Sequence, residues 1–429
     1  MIKFERNKLS LILIFLLVSS YFLGFYLREI TNGAGHIDLE YHIWIIVNDL
    51  RKDYFETIKN YQSYKEATFP FFHSFQSFFN PADRNILYCL NNSIFNLFIL
   101  LIFYQFLKLK EIEFEKNFLK ILIPFILLLS PWFRSTSFWG MTENFAFFFL
   151  IPSLYFLNLL IQKRISFKNN LILTVLITLT LYARQQFLFL AVFHILILLL
   201  NNNKKELIFT IAVYSLLSLP GFYVLSTWGV FKDISQVTSA SDGLSLENIL
   251  LNVPKISSLL FFYSIPIVLI NFSQFLKIFF SKKCLLIFIL VLFIKYLLFN
   301  DIDYPFKSGG YIVKFNYFFL NNDPKLLILI SSAFFAYIIS IIKTKNYKYF
   351  LILPLIYLNY GFVNSVYQEW FDPLYLFTYY IFFSKDHIVN LRLNKNRTIT
   401  FLFIWEFVIL MIAYVYYHGI KKIPLFYTF

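Results

Sequence analysis

The side chains whose type and spacing could do chemistry fall at four places. Asp38 and His42 stand four residues apart, so a helix would present both on one face. A carboxylate held there can take a proton from a hydroxyl, and one such base suffices when the leaving group is a phosphate, which departs as a stable anion. Hydrolysis of an ordinary glycosidic bond calls for two carboxyls instead. The competing role for Asp38 is local, as the cap of a helix that begins after Gly35. In Trp139-Gly140-Met141-Thr142-Glu143-Asn144, Glu143 either complements the positive end of a helix or lines the same cavity as Asp38. Arg184-Gln185-Gln186 interrupts an apolar stretch. An arginine set there grips a phosphate with paired N–H donors, or forms a structural ion pair with an acid such as Glu143.

The fourth place is Gln368-Glu369-Trp370-Phe371-Asp372-Pro373, together with Asp301, Asp303, Tyr304, Lys307, Lys314 and Tyr317 in the loop region before it. Aromatic faces and acids of this kind border a sugar pocket or form a solvated rim. Asp301-x-Asp303 lacks the glycine and closing glutamate of a calcium loop, and no zinc motif, GxGxxG, P-loop or GxSxG occurs. No metal and no cofactor is therefore expected.

These residues need a scaffold, and composition says what kind. Of 429 residues 59% are hydrophobic, 22% aromatic and 14% charged, far from the roughly 25% charge of soluble domains. The excess apolar surface calls for a bilayer. A span needs ~20 mainly apolar residues. Candidates are Leu9 to Leu27, Ile86 to Leu107, Phe118 to Phe133, Glu143 to Ile161, Leu171 to Leu200, Leu207 to Trp228, Ile256 to Leu276, Cys284 to Phe299, Leu326 to Ile342, Tyr349 to Val366, Leu374 to Ser384 and Ile399 to Tyr417. Arg184 is costly at mid-bilayer, so Leu171 to Leu200 divides into two half-helices around Ala183 to Gln186, which makes about thirteen crossings. Lys3, Arg6 and Lys8 before the first run resemble the opening of a signal peptide, but no small-residue cleavage site follows, and a retained anchor is expected. Glu406 in the last span is expected to be a helix contact.

Charge placement sets the expected orientation. With the N-terminus cytoplasmic, the inside loops hold 22 of the 38 basic residues in 63 positions, as the positive-inside rule requires. The net charge of +14 is then a topology signal, and no nucleic-acid partner is called for. Sixteen of the 24 acids lie in outside segments, so the chemistry should face outward. The largest of these, residues 28–85, carries apolar positions at helical spacing and should form interfacial amphipathic helices. Cys89 and Cys284 fall near opposite faces, which excludes pairing them.

The order of these features resembles the GT-C superfamily of polyprenyl-phosphate-sugar-dependent membrane glycosyltransferases, and is most similar to the dolichyl-phosphate-glucose alpha-1,2-glucosyltransferase family of N-glycan precursor assembly. That family's Asp-Glu-x-Phe-His segment resembles Asp38-Leu39-Glu40-Tyr41-His42, with the second acid displaced to Glu40. Its Thr-x-Pro resembles Thr68-Phe69-Pro70, its Leu-Arg-x-x-Asn resembles Leu87-Tyr88-Cys89-Leu90-Asn91, and its Thr-Glu or Thr-Asp resembles Thr142-Glu143. Its Arg-Gln-Thr-Asn resembles Arg184-Gln185, departing at Gln186 and Phe187; Pro254 follows an outer loop as the family's Pro does; and its late acid-aromatic pair resembles Glu369-Trp370, where Phe371 and Asp372 stand in place of the family's arginine.

The resemblance implies an all-α, polytopic GT-C fold forming one transmembrane glycosyltransferase domain over 1–429. It implies a polyprenyl-phosphate-linked hexose donor, a lipid-linked or glycan acceptor, and transfer with inversion on the outer or lumenal face of a bacterial inner membrane or endoplasmic reticulum. Asp38 would be the catalytic base and Arg184 would hold the donor phosphate. Glu40, His42, Thr142, Glu143, Gln185, Glu369 and Trp370 would bind substrate. A lipid-linked glycan flippase would favour paired broken helices in two repeats, and only one is visible; an outer-leaflet glycan polymerase would favour arginine-rich outer loops, which are lacking after residue 184.

Overall fold

Helix is the only regular structure among the described residues. The computed structural model describes residues 2–31, 35–61, 69–110, 114, 117–228, 246–270, 272–299, 310–321, 323, 325–341, 347–361, 366–383 and 395–420. Helices close their own backbone hydrogen bonds, which lipid cannot do for them. In chain order they are α1 (Ile2–Tyr26), α2 (Gly35–Asp38), α3 (Trp44–Lys52), α4 (Tyr54–Lys59), α5 (Phe71–Phe79), α6 (Asn85–Leu109), α7 (Asn117–Phe125), α8 (Pro131–Phe138), α9 (Glu143–Ile161), α10 (Phe167–Ala183), α11 (Phe189–Leu200), α12 (Lys204–Thr227), α13 (Leu246–Ile270), α14 (Phe272–Phe279), α15 (Lys282–Phe299), α16 (Gly310–Phe319), α17 (Lys325–Ile341), α18 (Ile352–Gly361), α19 (Asp372–Phe377) and α20 (Asn396–Tyr414).

Among the described residues, five helical stretches are long and apolar enough to cross a membrane: α6, α9, α12, Leu251–Ile270 and Asn396–Ile420; a bent pair, Phe118–Leu129 with Pro131–Phe138, would be a sixth. Many large apolar side chains point outward. On α15, Leu286, Ile289, Leu290, Phe293 and Leu297 are exposed, and on α12 Ile208, Leu216, Leu219 and Phe222 are. Such a surface is stable against lipid and not against water. By composition, helix length and surface, the chain is a membrane protein.

The described residues cluster into two compact units, one made of Met1–Phe187, Asn202–Ser239 and Asn394–Phe429, the other of Leu188–Asn201 and Ala240–Leu393. In the first, α9 packs along α10, α6 packs on α7, α8 and α9, and α20 packs on α7 and α8. Polar side chains bind these helices where lipid gives them no hydrophobic reason to associate. Asn92 donates to Ser137 O at 3.0 Å, Asn144 donates to Ser137 Oγ at 2.7 Å, and Tyr21 donates to Ser93 O at 3.1 Å. In the second unit α13 packs on α16, α17 and α18, and α15 on α17. Ser257 Oγ and Tyr357 OH lie 2.8 Å apart there, and Asn252 donates to Gly361 O at 3.1 Å.

Two local outcomes differ from the sequence reading. Phe118 to Phe133 is not one straight helix: the chain turns by 66° between Leu129 and Pro131. Ser130 caps α8 by accepting from Phe133 N at 3.1 Å, and Pro131, lacking an N–H, opens it. Asp38 is not an N-cap. It ends α2 with helical backbone angles, its side chain caps nothing, and the chain runs on through a wider π-type turn, Leu39–Ile43, into α3. The break expected at Ala183 to Gln186 is present: Arg184 is extended (φ −157°, ψ 109°) between α10 and the tight turn Gln185–Phe187.

Candidate active site

Asp38 is carried by α2, which is linked through Trp139 to a buried ion pair. Glu29 and Arg134 are both buried, with Arg134 Nε 2.8 Å from Glu29 Oε1 and Nη2 2.5 Å from Oε2. Arg134 also donates to Leu128 O at 2.9 Å and to Ser20 O at 2.9 Å, while Tyr414 OH donates to Glu29 Oε2 at 2.5 Å. Every charge in this knot has a partner, the condition under which a buried pair is tolerated. Gly24 makes room for it, since a Cβ at that position would strike the side-chain ends of both Arg134 and Glu29. Trp139 links the knot to α2: its indole donates to Glu29 O at 3.1 Å, and its ring packs against Gly35 and edge-on to His36. Sequence reasoning missed Glu29 and Arg134, which look like ordinary charges just beyond apolar runs.

The turn that holds Trp139 also delivers the second acid. Helix α8 ends with Gly140 at φ +66°, a left-handed position that glycine adopts without strain, and Met141 N bonds back to Thr136 O at 3.0 Å. Two residues later Glu143 opens α9, where its negative charge complements the helix end. Glu143 is buried and ion-paired through Oε1 with Arg184 Nη2, and Arg184 Nη1 donates to Thr142 Oγ1 at 3.0 Å. Glu143 Oε2 is buried and accepts no hydrogen bond. The guanidinium carries five N–H donors, and those beyond these two contacts are uncommitted among the described residues.

Asp38 belongs to the same cluster. Burial pushes its carboxyl above the ordinary carboxylate range, the Glu143 charge adds to that push, and His42 and Arg184 oppose it. Glu143, His42 and Arg184 thus all act on Asp38, Arg184 is paired with Glu143, and Thr142 is attached through Arg184. Two carboxylates, one guanidinium and one imidazole can bind an anion, orient hydroxyls and accept a proton.

Glu40 is not in this set. It acts on His36, whose proton affinity is lowered by burial and raised again by Glu40. Gln185 begins the turn after Arg184, half-buried and with no side-chain hydrogen bond among the described residues. Glu369 and Trp370 lie in the second unit, in the turn Gln368–Trp370. Trp370 stacks on Tyr360 at 5.1 Å and its indole nitrogen is buried without a partner. Gln368 beside them accepts from Tyr311 N at 2.8 Å and donates to Tyr263 OH at 2.9 Å. Lys314 and Tyr317 lie on α16, with the Lys314 ammonium 5.3 Å from the Tyr311 ring centre. Asp301, Asp303, Tyr304, Lys307 and Thr68 lie outside the described residues. Glu406 is fully buried within α20. Among the described residues no group of three His, Cys, Asp or Glu side chains is placed to hold a metal ion.

No protein-family model, curated protein or solved structure matches the chain.

Proposed function

We propose that the chain is a membrane glycosyltransferase of GT-C type, with about thirteen crossings and an outward-facing site, that moves a hexose from a polyprenyl-phosphate donor to a hydroxyl of a lipid-linked glycan or similar acceptor. The observation that carries this reading is the meeting of Asp38, Glu143 and Arg184, which stand far apart in sequence, with Asp38 outside the long apolar helices. Asp38 takes the proton of the acceptor hydroxyl. The acceptor oxygen then forms a bond to the anomeric carbon as the bond from that carbon to the phosphate oxygen breaks, and the phosphate leaves with the electron pair. Attack opposite the leaving group inverts the anomeric centre. Arg184 meets the charge that builds on the phosphate, while Glu143 and His42 orient hydroxyls.

The test incubates purified protein with a panel of polyprenyl-phosphate sugars and candidate acceptors, comparing wild type with Asp38→Asn. A new glycosidic product that Asp38→Asn fails to make is the expected result. Undiminished transfer by the variant removes Asp38 as the base, and sugar movement across vesicles without any new bond favours a transporter.

A further inference from the structure

Arg184 keeps N–H donors beyond its contacts to Glu143 and Thr142, so a substrate phosphate can engage the guanidinium at these first and then draw it from Glu143. The Arg184 side chain is 19% exposed and that of Glu143 4%, so an incoming anion reaches the cation and not the acid. Arg184 sits in an extended link between two helical pieces, where a change of side-chain direction disturbs neither helix. Its other contact, to the neutral Thr142 hydroxyl at 3.0 Å, does not compete with a phosphate. Glu143 keeps an unbonded, buried oxygen beside the pair, the mark of a carboxylate whose site is incomplete without a further group.

Resting on the functional reading above, we infer that the donor phosphate takes Arg184 over from Glu143, so that Glu143 and Asp38 face each other without their shared cation only while donor is bound. The charged groups whose fields reach Asp38 are Glu143 from α9, Arg184 from the link after α10, and His42 from its own turn. Drawing Arg184 toward a phosphate leaves His42 as the nearby counterweight to two carboxylates, and Asp38 holds a proton more firmly. The base is therefore strengthened when there is a sugar to transfer. Glu143 is a positioning residue in this scheme: it competes with weak anions for the guanidinium and arms Asp38 after a strong one has won. Its freed oxygens then accept hydroxyls of the bound sugar.

The experiment measures equilibrium binding of farnesyl phosphate, with farnesol as the uncharged control, to the full chain in detergent by tryptophan fluorescence. Wild type is expected to prefer the phosphate, and Arg184→Gln to lose that preference. Glu143→Gln is expected to bind the phosphate about fivefold more tightly or better, because no acid competes, with farnesol binding unchanged. Glu143→Asp keeps the charge on a shorter stem, falls between, and carries the comparison if Glu143→Gln does not yield monodisperse protein. Phosphate preference in wild type that Glu143→Gln leaves unchanged or weakens overturns the exchange alone. Absence of any preference in wild type overturns the functional reading, and the exchange falls with it.

Discussion

The guanidinium of Arg134 and the carboxylate of Glu29, 105 residues apart in the chain, form a buried ion pair, with Nε 2.8 Å from Oε1. Removing one partner strands the other charge. Arg134→Leu should cost about 3–5 kcal/mol, and Tyr414→Phe, which removes one bond to a charged group, about 1.5–3 kcal/mol. Gly24→Ala should resemble Arg134→Leu, since the added methyl displaces both charged ends. Thermal unfolding in detergent measures all three, and native-like midpoints would show that the pair is dispensable.

Asp38→Asn keeps the shape of the side chain and abolishes its use as a base. If Asp38 takes the acceptor proton, kcat falls by about 10²–10⁴ with little change in KM for the donor. A rise in donor KM at constant kcat would instead make Asp38 a binding group.

Asp38 must be ionised to act, and burial with the Glu143 charge raises its proton affinity. Activity should therefore climb with pH along a limb lying above the ordinary carboxylate range. Glu143→Gln removes one of the raising charges, so its limb in kcat/KM should move to lower pH. Under the exchange inferred above, the limb of kcat, which reports the donor-bound enzyme, should lie higher than that of kcat/KM in wild type. Coincident limbs in wild type and variant would separate Glu143 from Asp38.

His73 on α5 is fully buried, its Nδ1 2.5 Å from Tyr61 OH and its Nε2 without a partner, and burial lowers its pKa to about 3. The unfolded chain, near the ordinary value of about 6.5, binds the proton first as pH falls. The stability tied to neutral His73 is present above that value and lost as pH drops toward 3, about 2 kcal/mol of it near pH 5. His73→Gln should flatten this part of the acid dependence in thermal unfolding; an unchanged slope would assign it to other groups.

Much of the scaffold was legible because lipid imposes simple rules. Helix α9 begins at Glu143 and ends at Ile161, where the apolar run between polar flanks placed it, and the break at Arg184 follows from the cost of an arginine inside a long apolar stretch. The bend at Ser130 was not legible from hydropathy, which counts Pro131 and its neighbours as span and is blind to a capping serine. Glu40 was grouped with Asp38 because it stands in for the displaced second acid of the resembled motif; in the structure its charge acts on His36. The Glu29–Arg134 pair was invisible for a different reason: each residue is ordinary where it stands, and only the folded chain brings them together. Asp38, Glu143 and Arg184 were legible as separate candidates. The Arg184–Glu143 ion pair was legible too, as one of the two readings of Arg184; that Asp38 feels the same pair was not, since that depends on the turn at Gly140 and the extended link at Arg184.

Tyr414, the hydroxyl that completes the Glu29 carboxylate's partners, stands on α20, the last helix of the described chain. Ribosomes make it after every other member of that knot. During synthesis, Glu29 and Arg134 can meet as soon as α8 emerges, but their final donor arrives hundreds of residues later. The unit that carries Asp38 therefore matures only after α20 has been made, and nascent chains halted before α20 should hold α2 loosely.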